Sequence, residues 1–384
     1  MPDAPVADDD SDPLAGERAR LDAIDEEILD LLAERGDVVQ RVAEKKVERG
    51  LPVYVAGREK EKTDAFRRKA EARGLDPDWA EDFLRMVMAA SRARQLGSGA
   101  FPRATPEAQD VLIVGAEGGM GSRYARVFER SGHHVHGIDQ GDWDALPSLT
   151  PGLDLALVAV PIRVTEAVIR RLAEALSPQT VLADFTSTKS EPVATMLDAH
   201  DGPVLGLHPM HGPGAGQLSR QLMVACPARE AEASAWLLEQ CRLWGMRVEE
   251  AAPAEHDRVM HLVQGLRHFV ALLHGSFMRE AGLDPDDMLA FSSPVYRAEL
   301  MMNGRIFAQD AELYADIVFA SAERRRQLLR FFDQHERLAE LVRANDKAGF
   351  VEEFEAIADF FGGFAPQARH ESEYLITRLA DRFA

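Results

Sequence analysis

A short run of glycines carries the first chemistry legible in this chain. Residues 110–139, DVLIVGAEGGMGSRYARVFERSGHHVHGID, read in order as buried strand, glycine-rich turn, helix, second strand and acid. That is the order a dinucleotide-binding fold requires. Gly118 lets backbone amides approach a pyrophosphate, Gly121 lets the helix pack closely on the strand, and the helix N-terminus supplies partial positive charge. Asp139, 18 residues beyond Gly121, is placed to accept hydrogen bonds from the adenosine ribose hydroxyls. A carboxylate there repels a 2′-phosphate, so NAD is expected rather than NADP. Ala116 stands where the first glycine of such a turn usually falls, and Gly115 beside it supplies some of the missing backbone freedom.

Other candidates lie where ligands of such folds collect, beyond the C-terminal strand ends. They are the Ser187-Thr188-Lys189 turn and His208, close to the end of the run PVLGLHPM. Arg297 and Arg305 interrupt otherwise apolar helices further on. His256, His261 and His268 share a helix, but HDRVMH lacks the acid of HExxH and no soft ligands gather nearby, so no metal is expected. Cys226 and Cys241 match no zinc or disulfide pattern and read as reduced thiols.

These residues need elements to hold them. The runs ALVAVP (156–161), TVLADF (180–185) and PVLGLHPM (203–210) alternate with helical stretches, as in a parallel doubly wound sheet. Residues 110–252 are therefore a Rossmann-like domain, and residues 253–384, almost entirely helical in pattern, form a separate domain. Upstream, apolar residues recur at three- and four-residue steps from Leu14 until Gly50-Leu51-Pro52. This predicts one helix of about 36 residues, ~54 Å long at ~1.5 Å per residue. Two more helices follow, one over 58–73 ending at Gly74 and one from Pro77 to Gln95 with Asp76 as N-cap. A three-helix piece over 14–97 with one overlong helix is best completed by a second copy, so a homodimer is expected. Residues 98–109, rich in Gly, Pro and Thr, are a linker.

Charge separates the same segments. The 384 residues carry a formal −20, too acidic for a nucleic-acid binder. Residues 14–97 nevertheless hold 17 bases and 18 acids, an electrically balanced block in an acidic chain. Residues 1–13 hold five acids and no base and read as a disordered tail. No run of about 18 apolar residues and no signal-like N-terminus is present, so no membrane span is expected and a cytoplasmic location is expected.

The phrases RARLDAIDEEILDLLAER, LPVYVAGRE, the run ending in Lys46 and the Ser91/Gln95 pair resemble the all-helical chorismate mutases. The phrases VLIVGAEGGMG, GIDQGDWD, DFTSTK, VLGLHPMHGP, EHD, LRHF, SSPVYR and NGRIFAQD resemble prephenate dehydrogenase. Together, over roughly residues 14–380, the chain resembles the bifunctional chorismate mutase–prephenate dehydrogenase family of tyrosine biosynthesis. The resemblance implies two reactions: rearrangement of chorismate to prephenate, then NAD-dependent oxidative decarboxylation to 4-hydroxyphenylpyruvate.

For the rearrangement, a pericyclic step on a dianion, cations and donors are needed rather than a nucleophile. The resemblance implies that Arg18, Arg35 and Arg58 bind the carboxylates, with Arg18 reaching into the partner's site. Lys46 and Gln95 meet the ether oxygen, Glu59 the ring hydroxyl, and Ser91 lines the pocket. Val55 departs from the acid often found there. For the oxidation, it implies that neutral His208 takes the hydroxyl proton, that Ser187 orients the hydroxyl, that Arg305 binds a carboxylate, and that Arg297 and His268 line the cleft. His211 stands in place of an expected aromatic. L-Tyrosine, which resembles the product, is implied as a feedback inhibitor. The rival readings are a silent dimerisation module over 14–97, arogenate in place of prephenate, and a nucleotide-binding regulator without turnover.

Overall fold

A computed structural model describes residues 14–52 and 56–383, and all side chains among them except those of residues 56, 93–98 and 381–383. The acidic tail, Val55 and the Gln95 side chain lie outside the described residues. The chain divides into two compact units: residues up to 159 with 172–185 and 199–250, and residues 160–171, 186–198 and 251–384.

Three helices open the first unit, α1 (Ala15–Glu48), α2 (Ala56–Glu71) and α3 (Pro77–Ser98). The expected breaks hold: Gly50 and Gly74 adopt φ of +61° and +71°, conformations that glycine reaches without a Cβ penalty. Asp76 caps α3, its Oδ1 accepting from the amides of Asp78 at 2.8 Å and Trp79 at 3.3 Å, while Pro77 occupies a first-turn position that has no N–H to satisfy. The core of this trio is small, with Ala70, Ala80, Leu84 and Met88 buried. Along its 34 residues α1 buries none, and Leu21, Ile28, Leu31, Val38 and Val42 stay exposed.

A seven-stranded sheet follows: β1 (Asp110–Val114), β2 (His134–Ile138), β3 (Leu155–Val158), β4 (Val181–Asp184), β5 (Val204–Pro209), β6 (Leu222–Arg229) and β7 (Arg247–Glu250). Its order is β2-β1-β3-β4-β5-β6-β7. β1 lies between β2 and β3 and pairs in parallel with both, so the strand order reverses there, the place where such sheets bind ligands. The expectation of a parallel sheet is corrected at one ladder, because β6 runs antiparallel to β5. Residues 210–221 join them without a crossover helix, and a parallel return needs one. β7 was not foreseen from sequence, since RVEE is mostly exposed and shows no apolar run. Helices α4 (Gly119–Arg130) and α7 (Ala231–Leu243) flank the sheet. Between them Phe128 meets Trp244 edge-on at 5.0 Å, and the Trp244 Nε1–H donates to Ser131 Oγ at 2.9 Å. Cys226 and Cys241 are free and buried, and burial pushes the Cys241 thiol up to about 12.

The second unit takes most of α5 (Ile162–Ala173) and α6 (Ser190–Ala199). To these it adds α8 (Pro253–Met260), α9 (Arg267–Ala281), α10 (Pro285–Ala290), α11 (Pro294–Phe307), α12 (Ala311–Phe319), α13 (Ala322–Arg343), α14 (Lys347–Phe361) and α15 (Phe364–Phe383). A π-helical turn, His261–Leu266, joins α8 to α9. Gly265 lies within it because a Cβ there would stand 2.9 Å from Cδ of the buried Arg324. Among the described residues no helix is long and apolar enough to cross a membrane.

Candidate active sites

In the helical trio, cations of α1 and α2 gather with the Glu59 carboxylate of α2 and with a hydroxyl and a further cation on α3. The Arg35 guanidinium of α1 donates to Ser91 Oγ on α3, and that hydroxyl donates to the carbonyl of Val87 at 2.7 Å. Arg92 of α3 pairs with Glu59 of α2, both largely shielded from solvent. Burial lowers the Lys46 ammonium from its ordinary range, Arg58 adds to that lowering, and Glu59 opposes it. Lys62 is lowered by burial, then by Arg35 and Arg58, with Glu59 again opposing. Arg35, Lys46, Arg58, Glu59 and Ser91 are thus brought together as the sequence suggested. Arg18 is not: it lies 17 positions before Arg35 on the same helix, ~25 Å away at ~1.5 Å per residue, and is exposed.

Sequence reading passed over Lys62 and Arg92. Their signal was available in part, because Arg58, Glu59 and Lys62 fall on one helical face by their spacing.

The glycine turn follows from crowding. Gly115, at φ +89°, donates its N–H to the carbonyl of Ile138 at 2.8 Å and ties the turn to β2. A Cβ on Gly121 would stand 2.0 Å from the Gly115 oxygen, and one on Gly118 would stand 3.1 Å from it. The first distance is impossible and the second tight, so α4 approaches β1 only with hydrogen at these positions. Gly118 is the N-cap of α4, where unsatisfied amides and the helix dipole favour an anion. Asp139 follows β2, and its Oδ2 accepts from the amide of Glu117 at 2.9 Å, which fixes the carboxylate beside the turn. The Ala116 departure is accommodated: a Cβ on Gly137 of β2 would stand 2.6 Å from the Ala116 methyl, so that methyl occupies the space a side chain at 137 would need.

His208 is buried within β5, opposite Val224 of β6. Three residues on, His211 takes the place of the expected aromatic and is satisfied locally. Its Nε2 lies 3.1 Å from the Tyr124 hydroxyl, its Nδ1 lies 3.1 Å from the Gly212 carbonyl, and its ring stacks on Tyr124 at 6.1 Å. Burial lowers its pKa, so the ring is neutral. The Nδ1 contact makes Nδ1 the donor and leaves Nε2 to accept from the tyrosine.

In the second unit, Ser187 is half-buried between Thr186 and Thr188. The loop that carries it is anchored by Asp257, whose carboxylate accepts from the amides of Lys189 at 2.8 Å and Ser190 at 2.9 Å. His256 Nδ1 adds a third bond at 2.8 Å. Burial works against that carboxylate, but His256, Ser190 and the two amides together hold it far below the usual carboxylate range. Sequence reading quoted EHD without giving its aspartate a task. His268 packs edge-on against Tyr314 at 4.7 Å, and burial, then Arg267 and Arg324, brings its pKa down to about 4. It is therefore neutral near pH 7, and its buried Nδ1 has no hydrogen-bond partner among the described residues. Arg297 is half-buried and Arg305 exposed, both on α11.

Three family models match the chain. Chorismate mutase type II matches residues 17–96, the prephenate dehydrogenase nucleotide-binding domain matches 132–245, and the prephenate dehydrogenase dimerization domain matches 252–356. The T-protein of Enterobacter agglomerans is 39% identical over 95% of this chain and 97% of its own length. That of Haemophilus influenzae is 37% identical over 95% of this chain and 96% of its own. Among solved structures, prephenate dehydrogenase from A. aeolicus, in complex with hydroxyphenyl propionate and NAD+, aligns with a TM-score of 0.54. It does so at 20% identity over 66% of this chain and 97% of that one, a likeness of fold. A mutase-type helical trio, a nucleotide-binding sheet and a dehydrogenase helical region thus follow one another along a chain matched nearly end to end. The chain belongs to the T-protein family, the bifunctional chorismate mutase–prephenate dehydrogenases of tyrosine biosynthesis.

Proposed function

We propose the following division of labour for the two reactions. In the helical trio, Arg35 and Arg58 bind the carboxylates of chorismate, Lys46 and Gln95 meet the breaking ether oxygen, Glu59 receives the ring hydroxyl, and Ser91 positions Arg35. Arg35 and Glu59 each meet a residue of α3, and Lys46 lies within the influence of Arg58 and Glu59; that clustering is the observation that carries this reading. Fixed cations that stabilise charge developing on an oxygen supply the largest share of such a rate enhancement. Arg18, remote from this cluster on its own helix, serves the pocket of a second copy. A homodimer is supported by α1, with its exposed Leu and Ile residues, and by an apolar groove of about 810 Å³ along α9–α11, lined by Leu272, Met278, Leu283, Met288, Leu300 and Phe307.

For the oxidation, the cofactor is NAD, held by the Gly115, Gly118 and Gly121 turn and by Asp139. The crowding of that turn against any Cβ and the carboxylate fixed beside it fit a pyrophosphate and an unphosphorylated ribose. When bound, NAD+ accepts the hydride. His208 takes the proton of the prephenate hydroxyl, Ser187 orients that hydroxyl, Arg305 binds a carboxylate, and Arg297 and neutral His268 line the pocket. L-Tyrosine, sharing the product's ring and carboxylate, competes for the same groups. The protein acts in the cytoplasm. Incubation with chorismate and NAD+, following NADH and 4-hydroxyphenylpyruvate together, tests the whole scheme: both should accumulate in equal amounts, and NADH from supplied prephenate alone would leave the helical trio a silent module.

A further inference from the structure

α2 presents more positive charge to the mutase cluster than the proposed substrate set accounts for. Arg58 and Lys62 are four residues apart on α2, which places their side chains one above the other on a single face. Glu59 is three residues before Lys62 and could have paired with it, but its carboxylate is engaged by Arg92 of α3. The other face of the helix behaves differently. There Lys60 pairs with Asp64 at 2.9 Å, and Arg67 pairs with Asp78 at 2.5 Å and Glu81 at 2.9 Å. Among the described residues Lys62 makes no hydrogen bond or ion pair. Instead it faces Arg35 from α1 and Arg58 from its own helix; burial first, then both like charges, depress its ammonium, and Glu59 opposes them. Like charges at this spacing destabilise a helix, and a chain carrying −20 overall has ample acid with which to neutralise a surface lysine.

We propose that Lys62 is a fourth cation of the chorismate pocket and binds one of the substrate's carboxylates beside Arg58. The proposal rests on the reading of Arg35, Lys46 and Arg58 as the substrate-binding set. A dianion entering the cluster supplies the two negative charges that Glu59, already paired, does not. Repulsion among Arg35, Arg58 and Lys62 in the free protein is relieved on binding, so Lys62 acts on affinity more than on the chemical step.

The test is steady-state chorismate turnover by the full-length chain carrying Lys62→Met, Lys62→Arg or Lys46→Ala. Loss of one charge-assisted hydrogen bond raises KM about tenfold. Lys62→Met should show that rise with kcat little changed and with a shallower fall of kcat/KM on adding NaCl, while Lys62→Arg recovers most of the affinity. An unchanged KM in Lys62→Met overturns the proposal. If Lys62→Met loses kcat as well, the arginine variant decides: recovery supports a carboxylate-binding cation, and equal loss in both variants with intact prephenate oxidation rules one out. Lys46→Ala separates the two levels of inference. Its loss of turnover beside an unaffected Lys62→Met would sink only Lys62, whereas survival of turnover in Lys46→Ala would bring down the cluster itself.

Discussion

The helical trio and the sheet of the first unit prepare for anions by opposite means. On the trio, charge is held by long side chains, Arg35, Lys46, Arg58 and Lys62, standing on helices with a small core and, on α1, no buried residue. At the edge of the sheet the positive potential comes from backbone amides at the start of α4, reached because Gly118 and Gly121 carry nothing beyond hydrogen. A side-chain cluster costs mutual repulsion and conformational entropy but tolerates change one residue at a time. The backbone cradle avoids the repulsion, pays its entropy in the ordering of glycines instead, and tolerates almost no added atom.

The largest expected effect falls outside both devices and shows that the reactions separate. His208→Asn should lower NADH formation from prephenate by about 10²- to 10⁴-fold, the contribution of a positioned base, with chorismate consumption intact; equal loss of both activities would break the division. The intolerance of the cradle is tested by Gly121→Ala. A Cβ placed 2.0 Å from the Gly115 oxygen forces α4 away from β1, at a cost of about 1–3 kcal/mol for overpacking, so NAD+ affinity measured by fluorescence titration should collapse while mutase turnover stays. An unchanged NAD+ affinity would mean the close approach of helix and strand does not build the cofactor site.

The smallest effect concerns the carboxylate of the second unit. Because the folded-state pKa of Asp257 is depressed, its stabilisation is fully present above the unfolded value of about 3.9 and is lost only as pH falls through the lower folded value. Asp257→Asn should remove about 2 kcal/mol from the unfolding free energy at pH 7, with prephenate oxidation falling and chorismate turnover preserved. Equal stability of the variant and the parent at pH 7, in a denaturant titration, would show that the bonds around Asp257 hold nothing together.

Much of this was legible in the sequence, for identifiable reasons. The long α1, the Asp76 cap and the breaks at Gly50 and Gly74 declared themselves because helix periodicity and capping are local. The strand, turn, helix and acid over 110–139 did so because each part has its own residue signature. The antiparallel β6 and the edge strand β7 did not, since neither alternates cleanly and pairing direction depends on what joins the strands. At the sites, the arginines and Lys46 were visible through resemblance. Lys62 needed the observation that Glu59 is already taken by Arg92, and Asp257 needed knowledge of which amides end beside it, neither of which is encoded in spacing along the chain.

The contact of Ala116 with Gly137 has a consequence for any attempt to redesign the cofactor preference. A methyl on the turn and a bare α-carbon on β2 share one small volume, so the pair constitutes a single lock whose two halves sit 21 positions apart in the chain. Restoring the customary glycine at 116 would leave a hole over the second strand, and filling 137 alone would jam the loop. An engineer wishing to reshape the ribose side must therefore move both together.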